Sequence, residues 1–422
     1  QPLAERILHT LLQLPEALHG DLAGSIRRAR PTIGDVDILI ASDSPKPIMD
    51  LFVGLPQVTR ILGHGDKKSS VELSNGLQVD VRVLDPKSYG TGLQYFSGSQ
   101  QHNIRVREIA LAQGYSLNEH ALTPVAPDGT LIHEQAIYCA TEEEVYARVG
   151  LPYIAPELRE DRGEIEAAKA GKLPKLITLA DIRSDLHMHT TWSDGRLSVR
   201  EMAEEARKRG REYIVITDHS PGLGVANGLS IERLMQKGEE VRRVNAEMGD
   251  DFHVFHGTEM DILADGTMDY PDEVLAELDF VIASLHVSLG QPRDVITNRM
   301  LNAINNPHVD LIGHPRAQQI GRRDPADLDM EAVFAAAAKT GVALEINSNP
   351  ARLDLEAQYA RRAVEMGILI SINTDAHNAS NMDLLSYGVR TARRAWIEPQ
   401  HVINTWPLDQ FLAWTRARGK QA

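Results

Sequence analysis

The sequence is short of thiols, of long apolar runs and of positive charge. One cysteine, Cys139, stands alone among 422 residues. It excludes an internal disulfide framework and fits a reducing cytoplasm. A single thiol cannot build a metal site either, so any metal must rest on nitrogen and oxygen ligands. No apolar run approaches the roughly 20 residues that a membrane-spanning helix needs, and no secretory signal is expected from the opening residues. There is no low-complexity segment and no short tandem repeat. Lysine and arginine number 44 against 59 aspartates and glutamates, for a formal net charge of −15. Taken alone, that balance argues against a nucleic-acid protein. Metal ligands and catalytic carboxylates count as negative in the sum, however, and bound cations offset them. Local basic clusters therefore weigh more: Arg27, Arg28 and Arg30 form one, and Arg105 and Arg107 another.

What the chain does have is apolar material for sizeable cores. Hydrophobic residues make up 42 % and charged residues 24 %, typical of a globular protein, and the length allows two or three domains. Residues 1–150 mix strand-like and helix-like runs. Ile33–Ile40 alternates and is β-branched, so it reads as a strand. Residues 76–84 alternate too, with Leu77, Val79, Val81 and Val83 on one face and Asp80 and Arg82 on the other. Residues 151–183, with several prolines and a charged stretch, read as an ordered linker with a short helix. From about Asp185 the pattern changes to repeated strand–loop–helix units. Expected strands are Tyr213–Thr217, His253–His256, Phe280–Ser284, Leu311–Ile312, Val342–Ile346 and Ile368–Ile372, with one more before His187. Helix-like runs such as Val199–Lys208, Ile231–Glu247 and Met330–Lys339 intervene. Parallel strands alternating with helices predict an α/β barrel.

Six histidines, two aspartates and one glutamate follow separate apolar runs in this second half: His187, His189, Asp194, His219, Glu259, His286, His314, Asp375 and His377. One histidine after a strand is ordinarily a satisfied polar residue. Packing does not call for six at the mouth of one barrel, where such folds place their active sites. Divalent metals do call for them, because neutral imidazole and carboxylate are their usual ligands. Close cations lower the pKa of a bridging water and stabilise charge on a phosphoryl oxygen, so the expected chemistry is phosphoester hydrolysis. Asp218 either orients its neighbours or caps the following turn. Arg316 and Arg352 lie in strand-end loops and are candidates for gripping phosphate. Glu345, with Asn347 and Asn349, ends another strand; it either serves the barrel interior or contacts substrate.

The first region carries a second signal. Gly24-Ser-Ile-Arg-Arg28 precedes Gly34-Asp-Val-Asp37, and Val79-Asp-Val-Arg82 follows. Asp35 and Asp37 alternate on one strand and share a face, and Asp80 on a neighbouring strand can join them. Three convergent carboxylates repel unless they bind cations, and two magnesium or manganese ions would resolve the repulsion. Such a pair activates a 3′-hydroxyl and stabilises departing pyrophosphate, with the Gly-Ser turn and the arginines on the triphosphate. The plain alternative is a pair of exposed acidic strand residues.

The second-half motifs resemble the PHP (polymerase and histidinol phosphatase) family, through the opening His-x-His, an acidic residue shortly after, and later Glu, His, His and Asp-x-His elements. The resemblance implies a distorted seven-stranded barrel with a trinuclear centre of manganese or zinc. His187, His189, Glu259 and Asp375 would hold the first metal. Glu259 would bridge to a second, completed by His286 and His314, and Asp194, His219 and His377 would hold the third. The first-half motifs resemble the palm of family X DNA polymerases. There Asp35, Asp37 and Asp80 would be the metal triad, Ser25 and Arg28 triphosphate contacts, and Gly34 the residue closing that loop. Tyr95-Phe-Ser-Gly-Ser-Gln-Gln-His-Asn103 is similar to the segment that contacts sugar and base. Tyr95 and Phe96 would flank the incoming deoxynucleotide, Asn103 would reach its base edge and Arg107 the template.

The whole order resembles the bacterial family X polymerases: palm over 1–94, thumb-like segment over 95–150, linker over 151–183 and PHP domain over 184–422. Ser97 stands where threonine is usual and Gln100 where lysine is common. Members carry an N-terminal DNA-binding region and helix-hairpin-helix segments before the palm; this sequence opens at the palm on Gln1, so a chain without them is expected. The expected function is bifunctional DNA repair, with nucleotidyl transfer from deoxynucleoside triphosphates to primed or gapped DNA and 3′–5′ trimming by the second half, in the cytoplasm and without a membrane. Two other readings are a small-molecule phosphatase and a DNA-binding scaffold remnant without activity.

Overall fold

Two strands whose side chains alternate between apolar and acidic bury one face and leave the acids together on the other. In the computed structural model, which describes residues 1–249 and 251–418, this is how the first unit is built. The chain divides into two compact units, Gln1–Leu173 and Pro174–Ala422. The segment expected as a linker is shared between them, residues 151–173 packing with the first and 174–183 with the second.

The first unit holds a five-stranded mixed sheet of β1 (His19–Leu22), β2 (Asp35–Ala41), β3 (Val58–His64), β4 (Lys68–Leu73) and β5 (Gln78–Leu84), in the order β1-β2-β5-β4-β3. β2 and β5 run parallel and the other pairs are antiparallel. Val36, Ile38 and Ile40 of β2 and Val79, Val81 and Val83 of β5 pack on helices Pro2–Leu11 and Pro45–Val53 through Ile7, Leu11, Ile48, Met49 and Phe52. On the opposite face Leu39, Ala41 and Leu84 are covered by Tyr89 and Leu93 of helix Tyr89–Ser97. That helix covers only the far half of the face, and the near half carries the acids. β2 begins at Asp35, two residues later than the alternation alone indicates, because its pairing with β5 starts at Asp35 opposite Gln78. Helix Gln100–Ala112, a hairpin of β6 (Tyr115–Leu117) and β7 (Leu122–Pro124), and helices Glu142–Arg148 and Glu164–Lys169 complete the unit.

The second unit is a seven-stranded parallel sheet in chain order: β8 (Ser184–Asp185), β9 (Tyr213–Ile216), β10 (His253–Asp261), β11 (Phe280–Ser284), β12 (Leu311–Ile312), β13 (Ala343–Asn347) and β14 (Ile370–Asn373). It is nearly closed. Past the ends of β14 and β8, Met188 and Ala376 form a parallel bridge in which His189 N–H donates to Ala376 O at 2.9 Å. Runs such as Tyr-Ile-Val-Ile in β9 are apolar throughout because each strand is buried on both faces. One end is plugged by Phe411 of helix Leu408–Ala417, which packs on Tyr213, Phe255 and Phe280. This leaves the carboxyl ends of the strands as the open mouth. β10 runs to Asp261, five residues past the apolar run that marks it in the sequence, so Glu259 lies within a strand rather than after one. Its partner is Ile282 of β11. Among the described residues no helix is long and apolar enough to cross a membrane.

Candidate catalytic sites

The barrel mouth gathers all nine second-half residues. Glu259, fully buried at its centre, offers one oxygen to each side. Oε2 lies 3.0 Å from His219 Nδ1, 3.4 Å from His187 Nε2 and 3.6 Å from His189 Nε2. Oε1 lies 2.9 Å from His314 Nε2 and 3.3 Å from His286 Nε2. Asp375 Oδ1 is 3.1 Å from His189 Nε2 and 3.7 Å from His187 Nε2. Asp194 Oδ1 meets His377 Nε2 at 3.3 Å, His219 Nε2 at 3.7 Å and His189 Nδ1 at 3.9 Å. The rings of His219, His189 and His377 stack, with centroids 4.3 and 4.2 Å apart.

These atoms approach one another without completing hydrogen bonds. His187 Nε2, both ring nitrogens of His189, His219 Nδ1 and Glu259 Oε1 are buried with no hydrogen-bond partner. An unsatisfied buried polar atom costs about 1–3 kcal/mol, so so many in one place call for a shared partner. Cations supply it. Three groups of side chains can each converge on one ion: His187, His189 and Asp375; His189, Asp194, His219 and His377; and His219, Glu259 and His286. The donor set fits divalent metals. His314 stands outside these groups but faces Glu259. His314 and Asp375 also sit in left-handed backbone, at φ 27° and 54°, a strain that tertiary structure must hold in place.

Electrostatics point the same way. Burial pushes Glu259 up, but His286, His187 and His219 outweigh it and hold it well below the ordinary carboxylate range. Burial pushes His286 down, yet Glu259 and Asp261 raise it to about 10, and Asp194 and Asp375 raise His377 against its burial to about 9. His189 is pushed to about 3 by burial and by His377 and His219.

A ring of acceptors aims the imidazoles. Glu345 takes the Nδ1 proton of His187 at 2.8 Å and the backbone N–H of His314 at 2.7 Å, so it serves the interior of the barrel. Asn347 donates to Asp375 Oδ2 at 3.1 Å, while Asn349 is spent on its own turn, accepting from Ala351 N. Asp218 accepts from Thr190 and Ser193, in the loop joining His189 to Asp194, and so orients neighbours rather than capping the turn after it. Asp261, which accepts from His286 Nδ1 at 2.8 Å, was not singled out in the sequence. The signal was there: it lies two residues beyond Glu259 on one strand, hence on the same face. Arg352 Nε is 4.0 Å from Asp375 Oδ2, at the edge of the histidine–carboxylate cluster. Arg316 is turned to Glu356 and lies over the Tyr359 ring.

In the first unit Asp37 stands directly opposite Asp80, and Asp35 lies one alternation away on β2. Burial, then Asp35 and Asp80, raise Asp37 to about 6. Burial also pushes Asp80 up, but it is held below the usual range by Gln78, Ser70 and Lys68, whose Nζ is 3.3 Å away. Gly24 is in left-handed backbone (φ 61°), and a Cβ there would come within 2.4 Å of Asp37 Oδ2, so a side chain at this position would push the Asp37 carboxylate aside. Ser25 Oγ beside it is buried without a partner. Gly34 has open space around it. Arg28 is held by Glu160 at 2.9 Å and donates to Ser97 O, while Arg27 is forked onto Glu142. Tyr95 and Phe96 meet edge to face, with Arg82 over Phe96. Asn103 folds back to Tyr95 O at 2.6 Å, and Arg107 is exposed on the same helix.

A carboxylate triad on a mixed sheet and a histidine–carboxylate cluster in a parallel barrel define a nucleotidyltransferase palm joined to a metal-dependent hydrolase. Residues 92–160 match the DNA polymerase beta thumb family and residues 185–349 the PHP domain family. The chain is 42 % identical over 416 residues to the DNA polymerase/3′-5′ exonuclease PolX of Bacillus subtilis (strain 168), covering 98 % of this chain and 71 % of that protein. A probable phosphatase of Thermoanaerobacter sp. (strain X514) is 33 % identical over 234 residues, 52 % of this chain and 89 % of its own length. One of Acetivibrio thermocellus is 34 % identical over 202 residues, 46 % and 78 %. The chain belongs to the bacterial family X DNA polymerases that carry a PHP domain.

Proposed function

We infer a bifunctional DNA repair enzyme: a DNA-directed DNA polymerase in the first unit and a metal-dependent 3′–5′ exonuclease or phosphoesterase in the second. The observation that carries it is the presence of two separate ligand sets in one chain, the Asp35, Asp37 and Asp80 triad and the cluster around Glu259. The functional division is a palm over 1–94, a thumb beginning at 95 and a hydrolase beginning at 184.

In the palm, Asp35, Asp37 and Asp80 would hold two magnesium or manganese ions, whose chemistry would be to activate a primer 3′-hydroxyl and offset charge on departing pyrophosphate. Gly24 and Ser25 present the turn that receives the triphosphate, with Gly34 closing the loop, and Arg28 contributes once it leaves Glu160. Tyr95 and Phe96 shape the sugar pocket, Asn103 turns from Tyr95 O to the base edge, and Arg107 meets the template.

In the barrel, His187, His189, Glu259 and Asp375 would hold one ion, Glu259, His286 and His314 a second, and Asp194, His219 and His377 a third, as manganese or zinc. Such ions would supply a water of lowered pKa and charge neutralisation at the phosphoryl group. Arg352 steadies the phosphate, with Arg316 at the rim. The similarity of this half to probable phosphatases favours a related activity, removal of a 3′-terminal phosphate that blocks extension. The cytoplasm is the compartment that fits DNA as substrate and a lone buried cysteine.

The test is a 5′-labelled primer on a gapped template with manganese. Shortening without deoxynucleotides and lengthening with them are expected, each abolished only by substituting its own ligand set. An unchanged primer under both conditions overturns the reading.

A further inference from the structure

Lys237 lies in the middle of helix Ile231–Met248 and is fully buried. Lysine is almost never buried unless paired. Its Nζ donates to Gly257 O at 2.8 Å and Ile216 O at 3.4 Å, and stands 3.5 Å from Asp218 Oδ2. Each partner lies within three residues of a ligand of the metal cluster. Ile216 ends the strand leading to His219, Gly257 precedes Glu259 on β10, and Asp218 adjoins His219.

Asp218 passes the constraint on. It is fully buried and accepts four hydrogen bonds from one short loop: Thr190 N at 2.8 Å, Thr190 Oγ1 at 2.9 Å, Ser193 N at 3.2 Å and Ser193 Oγ at 2.6 Å. Thr190 follows His189 and Ser193 precedes Asp194. The carbonyl of Asp218 accepts from Thr258 Oγ1 at 3.1 Å and Glu259 N at 3.3 Å. Asp194 needs such support more than its neighbours. Its side chain is 34 % exposed, and the loop that carries it has no strand to fix it.

Stability does not account for the pair. A buried ion pair costs much of its attraction in desolvation, and apolar residues of equal volume commonly serve as well or better. We propose that Lys237 is a positioning residue for the metal site of Asp194, His219 and His377: through Asp218 it fixes the Thr190–Ser193 turn so that Asp194 faces those two imidazoles. The proposal rests on the ligand reading above. It implies that this site can be weakened while the sites around Asp375 and His314 keep their ions.

The experiment uses the full chain as wild type, Lys237→Met, Asp218→Asn and the double variant. Each is loaded with manganese, dialysed against graded chelator and assayed for bound metal by mass spectrometry, with circular dichroism recording the fold. With the metal counted in a background where Asp35→Asn and Asp37→Asn remove the palm's own ions, the barrel is expected to retain three equivalents. Lys237→Met should lose one of them at about 10–100-fold lower chelator, the range for groups that orient metal ligands, and keep two. The manganese requirement of primer shortening should rise by the same factor, with nucleotide addition unchanged. The double variant should be no worse than the poorer single one. If Lys237→Met does not fold, Asp218→Asn, which preserves shape, carries the same comparison. Folded variants that retain three equivalents at wild-type affinity, or lose all three together, overturn the proposal. A wild-type barrel that never binds three overturns the ligand reading and this inference with it.

Discussion

Glu345 holds His187 by its Nδ1 proton at 2.8 Å and so turns Nε2 toward Glu259 and Asp375. The same carboxylate holds the backbone of His314 at 2.7 Å. Glu345→Gln keeps the shape but loses the charge that fixes the tautomer. Metal affinity should fall about 10–100-fold, seen as a higher manganese requirement for primer shortening, while nucleotide addition stays unchanged. Equal manganese titrations for the two proteins would contradict this role.

Gly24 approaches Asp37 too closely for any side chain. Gly24→Ala must displace the Asp37 carboxylate or the turn, and it also strains left-handed backbone by about 1–2 kcal/mol. Nucleotide addition should drop by about 100-fold or more, the loss typical of removing one preorganised charge contact. Shortening should be unaffected. Gly34→Ala, with open space at its Cβ, should leave the fold intact. Full polymerase activity in Gly24→Ala would refute the contact.

Asp354 is fully buried, and burial, then Glu356, raises its carboxyl to about 7. In the unfolded chain it titrates near the ordinary value of about 3.9. The folded state therefore holds a proton that the unfolded state releases. This contribution to stability is complete below about pH 4 and is lost as pH rises to about 7. Asp354→Asn should remove that slope, by up to a few kcal/mol across the window. Urea unfolding at pH 5 and pH 7.5 compares the two, and an identical pH difference in both proteins would sink the idea.

Stripping divalent ions should destabilise the barrel as well as silence it. Ions that bind only the folded state stabilise it by about 4 kcal/mol at 1,000 times their dissociation constant. The melting temperature should rise with added manganese in wild type. In Glu259→Gln, where the carboxylate facing five histidines is neutral, the rise should be much smaller. A melting temperature indifferent to metal in both would contradict the shared site.

Much of this was legible in the sequence because chemistry and periodicity coincided. Strand–loop–helix repeats located the barrel, and Phe280–Ser284, Leu311–Ile312 and Val199–Lys208 end where their patterns end. All nine ligand candidates come together, since residues at the carboxyl ends of parallel strands must share one mouth. β10 was read too short because its second half, Gly-Thr-Glu-Met-Asp, is polar, and only the lumen makes polar residues acceptable inside a strand. Lys237 was invisible for a related reason, as a lysine in a polar helix reads as solvated until the partner of its Nζ is known. The sequence shows a basic cluster at Arg27 and Arg28 but not its partners, Glu142 and Glu160, far along the chain. Local sequence carries no trace of such distant pairings.

The bridge between Met188 and Ala376 has a consequence for biosynthesis. It joins the first strand of the barrel to the segment after the last, and His187, His189, Asp375 and His377 flank it directly. A ribosome-bound chain that has emitted β8 through β13 has the histidines of one side of the mouth and none of the counterpart on the other. The nuclease centre is therefore assembled only after residue 377 has emerged, and a chain terminated or clipped before that point would lack an active trimming site.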